Sequence, residues 1–319
     1  MRKIGIMTSG GDAPGMNACI RAVTRIALQS GFEVYGIYDG YLGMVNGDIS
    51  PLASLDVAGI IYRGGTILRT ARLDEFKQEE YQIKAANNLK EHGIDTVIVI
   101  GGDGSFKGAQ ALANHGINCL GIPGTIDNDL AYTDYTLGFD TAVNTALSAI
   151  NNIRDTMTSH GRISIVEVMG RHCGEIALAA AIAGGAEAAI IPERGFDIDN
   201  LADQLRYNTS HGRKSDIIIL AEGVCKGEYL DKELKDRLGA DIKTTTLGHI
   251  QRGGTPTMMD RVLAARFAYR AVQLALAGKS NRVIGIKNNK IIDMYIDDAL
   301  AMKKEIPQEL YEIEELLSR

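Results

Sequence analysis

Two short segments, residues 101–105 (GGDGS) and 123–129 (PGTIDND), contain the residue types and spacing in this chain that are best suited to catalysis. The first follows residues 96–100, an apolar, β-branched run that is typical of a buried parallel strand. Its glycines let backbone amides approach a ligand closely. We predict that Ser105 opens the next helix, whose amino end favours phosphate.

Three carboxylates belong to these segments: Asp103, Asp127 and Asp129. If both segments follow parallel strands, the three side chains converge at the same edge of a sheet. Carboxylates next to a phosphate fit two roles: one can hold a divalent cation, and one can act as a base. The segments therefore predict a phosphoryl-transfer site.

Near the amino terminus, residues 9–17 (SGGDAPGMN) form another glycine-rich turn that follows an apolar strand and opens a helix. Such a turn is a phosphate cradle by geometry. No Lys-Ser/Thr pair follows it, as a P-loop requires, and its glycines lack the spacing of a dinucleotide fingerprint. A purely structural tight turn is the alternative interpretation.

Basic side chains stand beside glycines in three further segments, residues 63–72 (RGGTILRTAR), 167–174 (EVMGRHCG) and 247–254 (LGHIQRGG). The planar fork of Arg171 suits a phosphate, and one arginine of the first segment could offset charge on a transferred phosphoryl group. His249 and Arg252 bracket a short turn and could contact phosphate or sugar hydroxyls. The alternatives are solvated arginines and structural histidines.

The composition excludes some partners. The chain has 319 residues, with 34 basic against 40 acidic side chains and no basic block, which disfavours nucleic acid and anionic membranes as partners. No segment resembles a signal peptide or reaches membrane-spanning length, so we expect a cytoplasmic protein. The scattered cysteines are expected to be reduced and buried: Cys19, Cys119, Cys173 and Cys225.

Strand-like and helix-like runs alternate along the chain, which indicates parallel sheets with helices on both faces. Long helices are predicted over residues 140–159, with Asp140 as N-cap, and over residues 256–278, closed by Gly278. We expect an α/β protein with two doubly wound, Rossmann-like lobes, mainly parallel sheets, and its active site in the cleft between the lobes. The predicted strands are residues 3–8, 33–37, 95–100, 118–122, 163–168, 216–221 and 283–286.

Taken together, these segments resemble the ATP-dependent 6-phosphofructokinases of bacteria, over essentially the whole chain. Their occurrence in this order is far more specific than any one of them. The matching segments are residues 8–17, 101–105, 123–129, 169–171, 221–223 and 248–254. The resemblance implies an ATP-binding lobe at 1–138 plus 251–301, a fructose 6-phosphate-binding lobe at 139–250 plus 302–319, and a homotetramer.

The resemblance also implies separate roles for the acidic residues. Asp127 is the general base for the C1 hydroxyl of fructose 6-phosphate, which attacks the γ-phosphorus of ATP. Asp103 is the expected Mg²⁺ partner, with Asp129 close to the metal in support. The transferred phosphoryl group is expected to be stabilised by Gly11, Arg72, Thr125 and Arg171.

Binding residues carry over from the same resemblance. ATP is expected to contact Gly11, Tyr41, Arg72, Leu73, Gly102, Asp103, Gly104, Ser105, Lys107 and Gly108. Fructose 6-phosphate is expected to contact Thr125, Ile126, Asp127, Met169, Gly170, Arg171, Glu222, His249, Ile250, Gln251 and Arg252, with Arg162 and Lys243 reaching in from a neighbouring subunit. The family usually has Arg at position 243; Lys243 keeps the charge but loses the bidentate fork, so we expect weaker or more adaptable phosphate binding.

A regulatory site between subunits is implied as well, with ADP as activator and phosphoenolpyruvate as inhibitor. Its residues are Arg21, Arg25, Arg154, Gly185, Ala186, Glu187, His211, Arg213, Lys214 and Ser215. The family often has Arg at position 211 and Lys at 213. A histidine in place of an arginine does not guarantee a positive charge at neutral pH, so effector affinity and its pH dependence are open. A pocket that persists but regulates poorly is the alternative.

Three other functions compete with this one. The pyrophosphate-dependent phosphofructokinases share the sugar-phosphate acceptor. That family has an Asp at the position of Gly104 and a Lys at the position of Gly124. A non-catalytic nucleotide sensor would not need Asp103, Asp127 and Arg72. An NAD-dependent dehydrogenase lacks support because the spaced-glycine fingerprint is missing.

Overall fold

The computed structural model describes residues 2–318, and the chain divides into two compact units. Unit 1 comprises Met1–Ile126, Leu130–Thr141 and Arg252–Lys304. Unit 2 comprises Asp127–Asp129, Ala142–Gln251 and Glu305–Arg319. The acidic segment that follows Ile126 is thus grouped with unit 2, whereas the resemblance places it in the lobe at 1–138 plus 251–301.

The secondary structure alternates as the sequence predicts. The strands are β1 (Arg2–Thr8), β2 (Phe32–Ile37), β3 (Ile49–Pro51), β4 (Thr96–Gly101), β5 (Asn118–Pro123), β6 (Ile163–Val168), β7 (Ala188–Ile190), β8 (Asp216–Ala221), β9 (Ile242–Thr246), β10 (Arg282–Lys287) and β11 (Lys290–Tyr295). The helices are α1 (Met16–Gln29), α2 (Gly40–Asn46), α3 (Glu79–Glu91), α4 (Asp103–Ala113), α5 (Phe139–His160), α6 (Glu175–Gly184), α7 (Ile198–Ser210), α8 (Gly227–Leu238), α9 (Met258–Leu276), α10 (Ile296–Ala301) and α11 (Gln308–Leu317). Short 3₁₀ turns cover Asp74–Lys77 and Gly248–Arg252.

Unit 1 contains a seven-stranded sheet in the order β11-β10-β5-β4-β1-β2-β3. Its interior pairs are parallel, and only the outer pairs β10–β11 and β2–β3 are antiparallel. Strand order reverses between β1 and β4, because the chain moves outward from β1 to β2 and later adds β4 and β5 on the other side. Ligands bind at such a switch point in α/β sheets, beyond the carboxyl ends of the strands.

A four-stranded parallel sheet forms unit 2, in the order β7-β8-β6-β9. Strand β6 is central, with β8 on one side and β9 on the other, so the loops after these three strands emerge next to one another. Every residue of β6 and β8 is buried, which accounts for their mainly apolar sequences. Ser164, Glu167 and Asp216 are the buried polar side chains of these two strands. The mainly parallel α/β architecture that the sequence predicts is confirmed.

The long helices occur where the sequence places them, with one correction. Helix α5 begins at Phe139, so Asp140 lies in its first turn and the prediction of Asp140 as N-cap is wrong. The buried carboxylate of Asp260 instead accepts hydrogen bonds from the backbone amides of Gly138 (2.8 Å) and Thr141 (3.0 Å). Gly278, with φ 66°, directly follows the C-cap of α9, as expected for a glycine that ends a helix.

The structure also tests the expectations for the cysteines and for membrane-spanning helices. Three of the four free cysteines are buried, but Cys225 is only half-buried, contrary to expectation. Burial raises the pKa of the Cys119 thiol to about 12, which keeps that thiol protonated and unreactive. Within residues 2–318, no helix combines the length and the apolar character needed to cross a membrane.

Candidate active site

In unit 1, three glycine-rich turns meet at the carboxyl ends of β1, β4 and β5. The backbone amide of Ser9 donates to the carbonyl of Ile100 (3.0 Å), and that of Gly124 donates to Gly101 (2.9 Å). A Cβ at Gly101 would lie 2.6 Å from the carbonyl oxygen of Ser9, so only glycine permits this approach. The turns are therefore held at the switch point between β1 and β4.

Helix α4 presents its amino end to this point. The helix starts at Asp103 with Gly102 as N-cap, two residues earlier than the start predicted at Ser105. The first-turn amides of a helix have no partner inside the helix and attract phosphate. Asp103 is half-exposed and forms an ion pair with Lys107 (2.6 Å), one turn further along.

Two glycines in this region turn out to have different reasons to be glycine. A Cβ at Gly104 would meet no atom within 4 Å, so a side chain there would enter open space. A Cβ at Gly124 would lie 3.0 Å from Ile100 Cγ2 and 3.3 Å from Met16 Cε. Position 104 has room for a ligand, whereas a side chain at position 124 would press on the packed core.

Tyr41, predicted to lie near the nucleotide, is buried and serves the protein itself. Its hydroxyl donates to the carbonyl oxygen of Ser105 (2.5 Å), and its ring packs on Phe76 with centroids 4.3 Å apart. A Cβ at Gly108 would lie 2.5 Å from Tyr41 Cζ, so the glycine allows the ring to approach α4. Burial raises the pKa of Tyr41, which keeps its hydroxyl a donor. We therefore assign Tyr41 and Gly108 to the support of α4.

The segment at residues 63–72 is fastened to the first glycine-rich turn by hydroxyl groups that sequence reasoning missed. Thr70 Oγ1 donates to the carbonyl of Gly10 (2.6 Å). Thr8 Oγ1 donates to the carbonyl of Arg69 (2.8 Å) and contacts Thr66 Oγ1 (2.8 Å). Arg72 remains exposed beside this framework. Polar β-branched residues next to glycine turns were the available signal.

Two predicted binding residues of unit 1, Gly11 and Arg252, lie in contact. A Cβ at Gly11 would lie 3.0 Å from Arg252 Cζ, and Arg252 Nη1 donates weakly to the carbonyl of Asp12 (3.4 Å). Thr125 lies at the end of β5, where Thr136 Oγ1 donates to its carbonyl oxygen (2.6 Å). Ile126 is fully buried. Hydrogen bonds and burial thus fix the positions of these residues in unit 1.

In unit 2, the loops after β6, β8 and β9 are joined through their backbones. The amide of Glu222 donates to Val168 (2.9 Å), and that of Gly223 donates to Gly170 (3.2 Å). Gly170 has φ 136°, a conformation that favours glycine. Arg171, exposed at the tip, and the half-buried Glu222 are thereby brought to one edge of the sheet.

Gln251 is fully buried beside this edge. Its Oε1 accepts from the amide of Met169 (3.2 Å), and its Nε2 donates to the carbonyl of Gly248 (3.0 Å). Both ends of the amide are used by backbone groups, so we assign Gln251 the role of holding Met169. His249 and Ile250, by contrast, are exposed.

The acidic segment Asp127–Asp129 is shaped by its central residue. Asn128 has φ 50° in the left-handed region and is 1% exposed. Its Nδ2 donates to the carboxylate of Glu175, in the first turn of α6. Asp127 is half-buried and Asp129 is exposed.

The two cations predicted to reach a neighbouring subunit share one carboxylate. Arg162 Nε lies 2.6 Å from Asp241 Oδ2, and Lys243 Nζ lies 3.0 Å from Asp241 Oδ1. The hydrogen bond from Lys243, followed by the charge of Arg162, lowers the pKa of Asp241. The structure thus brings Arg162 and Lys243 side by side on unit 2.

Several residues predicted to bind effectors also come together in unit 2. Arg154 Nη2 donates to the carbonyls of Gly184 (2.6 Å) and Gly185 (2.7 Å). The Glu187 carboxylate accepts from the amide of Ile217 (2.6 Å) and from Arg213 (3.2 Å). Burial, the largest cause, raises the pKa of Glu187.

The remaining predicted effector residues are more dispersed. His211 stacks on Tyr207 with ring centroids 3.9 Å apart, at the end of α7. Ala186 is buried, Lys214 is exposed, and Ser215 Oγ lies 3.5 Å from Thr158 Oγ1. Arg21 and Arg25 belong to α1 of unit 1.

The fold defines an α/β protein in which glycine-rich turns follow the strand ends, and carboxylates and arginines lie on the loops at the strand ends of each unit. Comparison with known proteins agrees. The phosphofructokinase family model matches residues 3–275. An ATP-dependent 6-phosphofructokinase of Clostridium botulinum is 57% identical over 319 residues, covering 100% of both chains. The chain belongs to the phosphofructokinase family.

Solved structures give the same fold. A phosphofructokinase from Saccharomyces cerevisiae has a TM-score of 0.88 and 37% identity over 100% of this chain; the present chain spans 48% of that longer one. A pyrophosphate-dependent phosphofructokinase from Marinobacter aquaeolei has a TM-score of 0.87 and 21% identity, covering 99% of this chain and 91% of that chain. The second likeness concerns the fold alone.

Proposed function

We propose that this protein is an ATP-dependent 6-phosphofructokinase: it transfers the γ-phosphate of ATP to the C1 hydroxyl of fructose 6-phosphate, giving fructose 1,6-bisphosphate and ADP. The observation that carries the proposal is the meeting of three glycine-rich turns at the β1–β4 switch point, with the amino end of α4 beside them and open space at Gly104. The full-length similarity to proteins named for this activity supports the same conclusion.

Unit 1 is the donor half of this proposal. The first-turn amides of α4 and the loop at Gly10–Gly11 bind the nucleotide phosphates, because they are donors without partners inside a helix. Arg72, exposed beside them, offsets charge that shifts toward the bridging oxygen. Thr125 donates to the transferred group from the end of β5.

The acceptor half is unit 2. Arg171 and His249 are exposed at the ends of β6 and β9 and bind the sugar phosphate, while Glu222 accepts from a sugar hydroxyl. Asp127 takes the proton from the C1 hydroxyl. The C1 oxygen of the sugar attacks the γ-phosphorus in line, and ADP leaves. A carboxylate suffices because loose phosphoryl transfer depends on positioning and charge neutralisation more than on a strong base.

Mg²⁺ fits the residues present. Among residues 2–318, no three His, Cys, Asp or Glu side chains form a cluster that could hold a metal. Mg²⁺ commonly binds through one or two carboxylates together with substrate phosphates and water. Asp103, half-exposed at the amino end of α4, would hold the ion with support from Asp129. When bound, the ion neutralises phosphate charge.

The pyrophosphate-dependent activity is the alternative, and the donor pocket argues against it. A side chain at position 104 would project into open space, where an Asp would repel the α-phosphate of a nucleotide. The glycine at position 124 is weaker evidence for the donor, because close packing against Ile100 also favours a residue without a side chain there.

Regulation, assembly and location belong to the same proposal. Arg154, Glu187 and Arg213 form a polar group that fits a phosphorylated effector such as ADP or phosphoenolpyruvate. Arg162 and Lys243 lie together as a cation pair suited to a phosphate held by a neighbouring subunit, in a homotetramer. We propose a cytoplasmic enzyme.

A donor assay tests the proposal. The purified protein is supplied with fructose 6-phosphate and Mg²⁺ and with either ATP or pyrophosphate, and fructose 1,6-bisphosphate is measured. Turnover with ATP alone is expected, and turnover with pyrophosphate alone would overturn the donor assignment. Asp127→Ser is expected to reduce kcat by about 10²–10⁴-fold while leaving fructose 6-phosphate binding nearly unchanged. Activity that survived this change would contradict the base assignment.

A further inference from the structure

Asn128 and Glu175 form a contact that no role described so far explains. Asn128 stands between Asp127 and Asp129 in a left-handed backbone conformation, with φ 50° and 1% exposure. Its side-chain amide donates to the carboxylate of Glu175. The two residues are 47 positions apart in the chain, so the contact is tertiary.

The contact is of a kind that holds a backbone. Asn tolerates the left-handed region better than most residues do, but the conformation still needs support from its surroundings. A hydrogen bond to a charged group is stronger than one between neutral groups. Fixing the side chain of Asn128 restricts the backbone of the two carboxylates beside it.

Glu175 is itself well placed to act as a rigid partner. It lies in the first turn of α6, where a negative charge is favoured by the helix dipole, and is followed by the buried residues Ile176, Ala177 and Leu178. The preceding residue, Gly174, donates its amide to the carboxylate of Glu193 (2.8 Å). The start of α6 is therefore fixed by packing and by its own hydrogen bond.

The same helix start ends the loop that carries Arg171. Residues 169–174 lead from β6 into α6, and Asn128 is fastened to the first residue of that helix. The start of α6 thus holds both the segment that contains Asp127 and the loop that contains Arg171. A change at this point would alter the position of the base relative to the bound sugar.

We propose that Glu175 is a positioning residue for phosphoryl transfer: by binding Asn128 it holds the carboxylate of Asp127 in register with the sugar-phosphate loop. The inference deepens the proposed function and rests on it. In this role Glu175 acts through Asn128.

Steady-state kinetics of two substitutions test the inference. Glu175→Ala removes the acceptor, and kcat is expected to fall by about 10–100-fold, since small misplacements of a reacting group cost up to about 10²-fold. The KM values for fructose 6-phosphate and ATP are expected to stay within about threefold, because binding groups are untouched. Glu175→Gln keeps an acceptor oxygen and is expected to retain most of kcat.

Glu193→Gln is the matched control, because Glu193 contacts the same helix start but not the acidic segment. Its kcat is expected to be close to that of the parent. Should Glu175→Ala fail to fold, Asn128→Gly removes the same hydrogen bond while tolerating φ 50°, and is expected to show the same loss of kcat.

The inference is overturned if Glu175→Ala, or Asn128→Gly in its place, keeps the parent kcat. It is also overturned if KM for fructose 6-phosphate rises as much as kcat falls, or if Glu175→Gln loses as much as Glu175→Ala. The parent protein, assayed in parallel, separates the two proposals. An inactive parent would contradict the proposed function, whereas an active parent with an equally active Glu175→Ala variant would contradict the positioning role alone.

Discussion

Arg252 occupies the space that a side chain at Gly11 would need. A Cβ on residue 11 would lie 3.0 Å from Arg252 Cζ, while Arg252 Nη1 points to the carbonyl of Asp12 (3.4 Å). One residue belongs to the first glycine-rich turn and the other to the 3₁₀ turn that follows β9. The absence of a side chain at Gly11 therefore allows Arg252, predicted to bind the sugar phosphate, to contact the turn that is predicted to bind the phosphates of ATP.

Gly11→Ala tests this relationship. The added methyl group displaces the guanidinium, so KM for fructose 6-phosphate is expected to rise about tenfold, as for the loss of one hydrogen bond to a charged group. Stability is expected to change by less than about 0.5 kcal/mol, because the far end of a flexible side chain can move aside. Gly195→Ala, where a Cβ meets no atom within 4 Å, is the control for both measurements. An unchanged KM in Gly11→Ala would contradict the expectation.

Gly104→Asp tests the open space in the donor pocket. A Cβ at this position meets no atom within 4 Å, so Tm is expected to stay close to that of the parent. The new carboxylate would face the nucleotide phosphates, and like-charge repulsion is expected to raise KM for ATP about tenfold or more. Gly104→Ala adds a methyl group without charge and is expected to retain KM within about twofold. If both variants bound ATP like the parent, Gly104 would have no part in the donor pocket.

Gly124→Ala is expected to have the opposite profile. Its Cβ would lie 3.0 Å from Ile100 Cγ2 and 3.3 Å from Met16 Cε, inside a packed core. Overpacking of this kind costs about 1–3 kcal/mol. Urea denaturation should therefore show a lower free energy of unfolding, and any loss of activity should follow the loss of stability. A variant as stable as the parent would show that the core yields and would restore a donor-selective role for Gly124.

Glu187 gives a pH-dependent prediction. Burial raises the pKa of its carboxyl above the ordinary value of 4.5, so the folded protein holds this proton more tightly than the unfolded chain does. The associated stability is complete below pH 4.5 and is lost as pH rises through the raised pKa. Glu187→Gln cannot titrate and still offers an oxygen to the Ile217 amide, so its Tm should fall less between pH 4.5 and 7.5. Parallel Tm curves for the two proteins would contradict the prediction. Burial also raises the pKa of Asp216, so part of the dependence of Tm on pH is expected to persist in both the parent and Glu187→Gln.

The α/β class, the order of the motifs and the strand ends at which they lie all follow from local signals in the sequence. Apolar, β-branched runs followed by glycine turns are local signals, because propensity and burial of a parallel strand are properties of neighbouring residues. Strands β1, β2, β4, β5, β6, β8 and β10 were predictable on this basis. The short edge strands β3 and β7 carried no such signal, since three residues show no periodicity.

The roles of several site residues depend on contacts that form only when the chain folds. Gly124 is a glycine because of Ile100 and Met16, Tyr41 supports α4 through Ser105, and Gln251 braces Met169. Asn128 is held by Glu175, far away in the chain. Each of these roles depends on which atom lies opposite a side chain after folding. Spacing in the sequence identifies residues that share a strand end, but only packing identifies the partner that each of them contacts.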